Sequence, residues 1–558
     1  MTRTPLAWPT LLALSLAGAA CTDRLQGPKE TGNASSPTRG GTLQLASFGD
    51  IRSLDPATAS DALAGVMVEL LYAGLVDFDD DGKVIPDLAR SYEISPDGRE
   101  FSFHLREGVR FHDGALLSAS DIKRSIERAL HKDTPNSAAS YFDRIEGFDA
   151  FRAGSVDTLS GVVVTDPMTV KVRLRSKDAM FLHVLALHSL RPVCKSGGSR
   201  YDDAWTPCGA GPFRLPPGGW QRGLRVHVVR HEEFYDKDAP RLDGVVFTYG
   251  MQVVTQRLKL ERGELDVLRD LSQGDMARFK GDARWRPHTR QEPARSIFGE
   301  AMNTERPPFD NVEVRRAVAA AINRDEYQAL RSGSVVATGK AIPRSVPGFS
   351  AEVPGQTFDL ERALAHMKRA GYPYDPETGK GGYPKPISYL AYRPGYSEQS
   401  AQLLKQQLAR IGLRLEIRLV SFATYLTLSQ RRNQVDMSAQ GWNQDYPEAL
   451  DFYEALFSSR MIADDQASNS AFYKNPELDG LIDRAREELD PEARQKLYDR
   501  AQAIVRDEAP WAMTYENRWL VVQQPYVKDL VLHPVWIYGL RRTWLDLADS
   551  AKQERGNP

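Results

Sequence analysis

Between residues 386 and 420 the apolar pattern changes period twice, and that change constrains the fold more than any other feature of the chain. Ile387 to Tyr392 reads as a strand. Ser397 to Ile411 reads as a helix with Leu404, Leu408 and Ile411 on its inward stripe and Gly412 as its stop, after which Leu413, Leu415, Ile417 and Leu419 alternate as a second strand. Strands joined through a helix run parallel by a right-handed crossover, and such units carry their binding surface at the carboxyl ends of the strands. The class is therefore α/β. At 558 residues the chain exceeds what one core supports, since single cores stop growing near roughly 250 to 300 residues. Two or three domains are expected.

A second patterned unit spans residues 86 to 128, PDLARSYEISPDGREFSFHLREGVRFHDGALLSASDIKRSIER. A polar strand turns at Ser95-Pro96-Asp97-Gly98, where Pro presets φ and Gly closes a type I turn, and returns through Phe101, Phe103 and Leu105 at alternate positions. After a second Gly-marked turn at His112-Asp113-Gly114, Ser118 or Ser120 caps a helix whose Ile122, Ile126 and Leu130 share one face. The unit is a β-hairpin closed by a short amphipathic helix.

Its residues resemble one family, the family 5 extracellular solute-binding proteins that deliver oligopeptides, dipeptides or nickel complexes to ABC importers. The resemblance runs through Pro86-Asp87-Leu88-Ala89, Ser91, Asp97-Gly98, Phe103 to Gly114, Ala119, Asp121, Ser125 and Arg128. It continues at Gly209-Ala210-Gly211-Pro212-Phe213, Gly263-Glu264-Leu265-Asp266, Asn303-Thr304, Pro307 to Asn311, Asn475-Pro476 and Ala509-Pro510, covering nearly the whole chain after residue 41. The fold it implies is α/β and periplasmic-binding-protein type II-like (cluster C), with two lobes, a hinge and an extra β-rich domain. Domain I would comprise 41–75, 208–300 and 515–548, domain II 76–207 and domain III 301–514. Locally, the Asp310 and Glu313 spacing reads as a capping box opening a helix with Val314, Val318 and Ile322 on one face. The glycines of 209–213 are expected to adopt φ values that other residues resist.

The N-terminus points to export. Arg3 precedes an apolar run from Leu6 to Ala20 that is too short to span a bilayer, so 1–21 reads as a signal peptide. Leu16-Ala17-Gly18-Ala19-Ala20-Cys21 resembles the lipobox of bacterial lipoproteins, which implies that Cys21 is lipidated and becomes the mature N-terminus. Residues 22–40 have the Gly, Pro, Ser and Thr content of a flexible tether, with a reach of roughly 25 Å. The expected location is the periplasmic face of the cell envelope, lipid-anchored to membrane. Export also makes Cys194 and Cys208 candidates for a disulfide, because the polar segment between them buries little apolar surface of its own.

The candidate ligand site is Gly441-Trp442-Asn443-Gln444-Asp445-Tyr446, which resembles the family's G-W-x-x-D-Y segment. The resemblance implies that Asp445 pairs with the α-ammonium group of a bound peptide. Trp442 would offer an apolar wall, and the main chain of Gly441 and Asn443 would pair with an extended ligand in β-augmentation fashion. The alternative, in which Asp445 caps a loop while Trp442 and Tyr446 are core residues, stays open on sequence alone.

Catalytic and metal motifs are set aside. His231-Glu232-Glu233-Phe234-Tyr235 lacks the second histidine of a zinc-protease helix, and Gly333 to Lys340 has the wrong glycine spacing for a P-loop, with Ala341 where a Ser or Thr would hold Mg²⁺. No cofactor is expected. With 72 basic against 74 acidic residues, no charge imbalance points to nucleic acid. The expected partners are a peptide ligand, the permease subunits of an ABC importer and the membrane through the lipid anchor, with the protein acting as a monomer. Family membership does not fix the cargo. A receptor for a nickel chelate, haem or another non-peptide solute remains an alternative, as does an envelope or signalling lipoprotein without transport.

Overall fold

The computed structural model describes residues 36–59, 62–197, 205–393 and 396–548. The signal segment with Cys21, and the tether up to residue 35, lie outside the described residues. The β-α-β unit forms as its periodicity requires. Strand Ile387–Arg393 pairs in parallel with Leu415–Ser421, and helix Tyr396–Ala409 crosses between them. Leu404, Leu408 and Ile411 are buried, and Gly412 ends the turn with a left-handed φ of 78°.

These strands belong to a seven-stranded sheet, ordered 267–268, 511–523, 289–302, 437–443, 387–393 and 415–421, with 335–337 paired alongside 511–523. Its two longest strands, Thr289–Met302 and Trp511–Gln523, are antiparallel neighbours with register breaks between Pro293 and Ile297 and between Phe298 and Gly299. The domain boundaries expected at 300/301 and 514/515 fall inside this strand pair. Those expected boundaries thus lie in paired strands rather than in loops.

A second sheet assembles pieces far apart in sequence: Thr42–Ala46 runs parallel to Gly244–Thr248, which pairs antiparallel with Arg225–Arg230. The third sheet is antiparallel, ordered 89–94, 100–105, 169–173 and 162–166. Here the hairpin turn closes through the Gly98 N–H donating to the Ser95 carbonyl at 2.8 Å, and Phe101, Phe103 and Leu105 are buried. Helix Ala119–Leu130 is capped by Ser118, with Asp121 completing the capping box. From this sheet the apolar packing continues into Leu450, Phe457 and Leu481 of the later helices as one cluster.

Two local expectations are corrected. Asn311, not Asp310, caps helix Val312–Ala321 by accepting the Glu313 N–H, and the Glu313 side chain instead binds Arg316, His366 and Arg369. Gly209 and Gly211 adopt no positive φ. They are glycines because a Cβ would lie 2.3 Å from the Tyr72 ring at the first and 2.4 Å from the Leu71 main chain at the second. Close approach, not conformation, excludes a side chain there.

Cys194 and Cys208 are bridged, with Cα atoms 5.4 Å apart. They also form, with Asp113, the one cluster of potential metal ligands among the described residues, and the bridge leaves neither sulfur a thiolate. Among the described residues no helix is long and apolar enough to cross a membrane.

Candidate ligand-binding site

Strand Met437–Asn443 is paired along its whole length on one side, from Met302 opposite Met437 to Ser296 opposite Asn443. On its other side it pairs only through Met437 and Ser438, with Tyr389 and Leu390. Strand 387–393 stays with 415–421 as far as Arg393 opposite Ser421, and so diverges from its neighbour. Residues 439–443 consequently present an edge with no strand partner among the described residues. This edge opens onto a cavity of about 470 Å³ at the carboxyl ends of the two parallel strands. Successive residues of a strand face opposite sides of the sheet. The cavity takes walls from both sides, with Phe298, Glu300 and Tyr515 on one and Tyr392, Phe422 and Tyr425 on the other, so it straddles the free edge.

The motif residues are distributed around that edge. Gly441 and Asn443 are exposed and Trp442 is half-buried. Gly441 lies opposite Phe298, whose ring would sit 2.3 Å from any Cβ placed there. The Trp442 indole N–H and the Asp445 backbone N–H both donate to Oδ2 of Asp451, each at 3.0 Å. The Asp445 carboxylate accepts the hydroxyl of Tyr141, which arrives from the hairpin-bearing segment. Tyr446 is buried, edge-on to Tyr141 with ring centres 6.2 Å apart. Asp445 caps no helix, since Glu448 occupies the N-cap of helix Ala449–Phe457.

The electrostatics of this corner are uneven. Burial raises the pKa of Asp445, opposed by the bond from Tyr141. Burial, and then the neighbouring charge of Asp445, push Asp451 well above the ordinary carboxylate range. Among the described residues no Lys, Arg or His pairs with either carboxylate, and Oδ1 of Asp451 has no hydrogen-bond partner. A buried and a half-buried acid without a cation favour a positively charged visitor, because a desolvated carboxylate costs several kcal/mol unless it is paired. Nearby, Arg486 joins the same two segments, binding Asp178 at 3.0 Å and Glu454 at 3.2 Å.

Sequence reasoning missed Tyr141, Asp451 and Glu300. Tyr141 is distant in the chain and carries no local pattern. Asp451 lies in a helical turn that reads as amphipathic. Glu300 did leave a signal, a lone acid within the apolar strand run Ile297 to Met302.

The family model for bacterial extracellular solute-binding proteins, family 5 (middle), matches residues 83–464. Heme-binding protein A of Haemophilus influenzae is 28% identical over 83% of this chain and 85% of its own length. The dipeptide-binding protein of Escherichia coli is 27% identical over 83% and 87%. Among solved structures, the clavulanic acid biosynthesis oligopeptide binding protein 2 superposes with a TM-score of 0.82 at 25% identity, covering 91% of this chain and 96% of that one. The Helicobacter pylori protein DppA in complex with the peptide STSA has the same fold, with a TM-score of 0.74 at 23% identity over 91% and 99%. With the family model spanning well over half its length, the chain belongs to the bacterial extracellular solute-binding proteins, family 5, the solute-binding proteins of ABC importers.

Proposed function

We propose that this protein captures short peptides as an added strand along residues 439–443, amino terminus at Asp445, and delivers them to a membrane permease as a binding protein rather than an enzyme. The carrying observation is the unpaired edge itself, which opens onto a cavity and ends at two carboxylates, Asp445 half-buried and Asp451 buried, with no cation paired to them among the described residues. An extended backbone supplies the missing ladder hydrogen bonds, and its α-ammonium group supplies the missing charge. Backbone pairing gives affinity without strong sequence preference. The relatives' names span dipeptide, glutathione and heme, so the peptide assignment rests on this geometry. Tyr141 bonds Asp445 and Arg486 pairs with Asp178, so these contacts tie the segment of residues 139–178 to the one that carries Asp445, and closure around a ligand would shift the balance between open and closed forms. The lipobox-like run ending at Cys21 supports anchoring at the envelope surface.

Calorimetry on four combinations tests the reading. Asp445→Ala is expected to weaken binding of a free-amine peptide by about 2 to 5 kcal/mol, as for loss of one partner of a buried pair. N-acetylation of the peptide costs a similar amount in the wild type and little in the variant. Additive losses, or full wild-type affinity for the acetylated peptide, would show that Asp445 does not hold the amino terminus.

A further inference from the structure

The cavity is lined by an acid, Glu300, that the amino terminus of a ligand does not use. Glu300 stands directly across from Ala439, and the Phe298 ring lies over Gly441, and all four residues line the cavity. Only 3% of Glu300 is exposed. Its two carboxyl oxygens accept hydroxyls, from Tyr389 at 2.6 Å and from Tyr327 at 3.4 Å, and no ion pair reaches it among the described residues. Flat rings stand around it. Phe298 and Tyr515 are stacked with centres 5.0 Å apart, and Tyr327 lies 6.2 Å from Tyr515.

We propose that this compartment is a subsite for a basic ligand side chain, its stem between the aromatic rings and its cationic head on the Glu300 carboxylate. The assignment rests on the reading above, that the ligand lies along the 439–443 edge. A strand added there sends alternate side chains to opposite faces, and those on the Phe298 face enter this compartment. Ring faces attract guanidinium and ammonium groups, and a carboxylate at the end of the slot completes a charge-assisted hydrogen bond. An apolar side chain would leave the desolvated carboxylate without a counter-charge, and an acidic one would be repelled. Arg331, stacked over Tyr515 at 5.0 Å, is the one basic residue lining the cavity among the described residues.

Burial pushes the Glu300 pKa up to about 7, against the pull of the Tyr389 and Tyr327 hydroxyls. A bound cation holds the carboxylate ionised and so expels a proton at neutral pH. The other titratable groups facing it, Tyr327, Tyr389, Tyr425 and Tyr515, are all shifted upward by burial and stay protonated there.

The experiment is calorimetry at pH 7 with tetra-alanine and analogues carrying Lys, Arg or neutral norleucine at each position in turn. It is repeated in buffers of different ionisation enthalpy. At one position Lys or Arg is expected to bind at least about tenfold tighter than norleucine, with extra proton release relative to norleucine, and both differences vanish in Glu300→Gln. Equal affinity of Lys and norleucine at every position, or a preference that survives Glu300→Gln, overturns the subsite while leaving the edge-binding reading intact. Should Glu300→Gln not fold, the wild-type proton-release difference decides alone. Absence of binding by every peptide overturns both.

Discussion

At the residue scale, the informative groups are buried acids that lack cations. Asp451 accepts two hydrogen bonds on one oxygen and none on the other, beside the second acid Asp445. Its geometry is useful and its charge is costly. Asp451→Asn keeps an oxygen for the Trp442 indole and the Asp445 amide while removing the charge. We expect it to stabilise the ligand-free protein by about 1 kcal/mol, the scale of relieving an unmet buried polar group, and to weaken peptide binding. Denaturation at pH 8 together with calorimetry checks this; lower stability with unchanged affinity would mean that Asp451 serves packing alone. Cys21 makes a second residue-scale prediction. Cys21→Ala should abolish palmitate labelling and release a soluble form, and unchanged labelling would reject lipidation at this residue.

At the element scale, periodicity located most of the elements and was weakest at their ends. Helix 396–409 and its flanking strands were legible because apolar spacing and the Gly412 stop agree. The cap at Asn311 was misplaced by one residue, because Asp310 and Asn311 are both good caps and only the backbone turn selects between them. The Cys194–Cys208 bridge closes a segment with a sequence separation of 14. In the chain-entropy model a loop of this size is stabilised by about 3 kcal/mol when cross-linked. The double Cys194→Ala, Cys208→Ala variant should lose about that amount in chemical denaturation. Recovery of both cysteines as free thiols in exported protein would contradict the bridge.

At the scale of the whole molecule, a buried charge cluster ties together parts that the sequence separates widely. Arg191 pairs with Glu69 at 2.6 Å and Asp77 at 2.9 Å, while Arg541 pairs with Asp77 at 2.8 Å and Asp87 at 3.1 Å. Three carboxylates face two guanidinium groups. Burial, only partly opposed by Arg191, raises Glu69 to about 7, the same level as Glu300. Both acids bind their proton more tightly folded than unfolded, where they titrate near 4.5. Their contribution to stability is thus complete below that value and is lost as pH rises through about 7. Between roughly pH 4.5 and pH 7.5 this works against His112, His183 and His188, whose pKa values, depressed by burial, make stability rise with pH, so Glu300→Gln and Glu69→Gln should each make the thermal stability of ligand-free protein rise more, or fall less, with pH than in the wild type. A slope that neither substitution changes would refute the assignment.

The sequence by itself determined the fold class, the β-α-β unit, the hairpin with its helix and the family, because each is written in local periodicity or in contiguous motifs. It also pointed to the segment 441–446. Only the tertiary structure decided what that segment faces. The free edge of 439–443 exists because one parallel neighbour diverges after Leu390, a matter of sheet twist and packing that no local pattern encodes. Tyr141 meets Asp445 across a sequence separation of 304, and Glu300 meets Tyr389 across 89. Burial and missing counter-charges are sums over many distant neighbours, so the acids that define the site became distinguishable from ordinary surface acids only once the chain was folded.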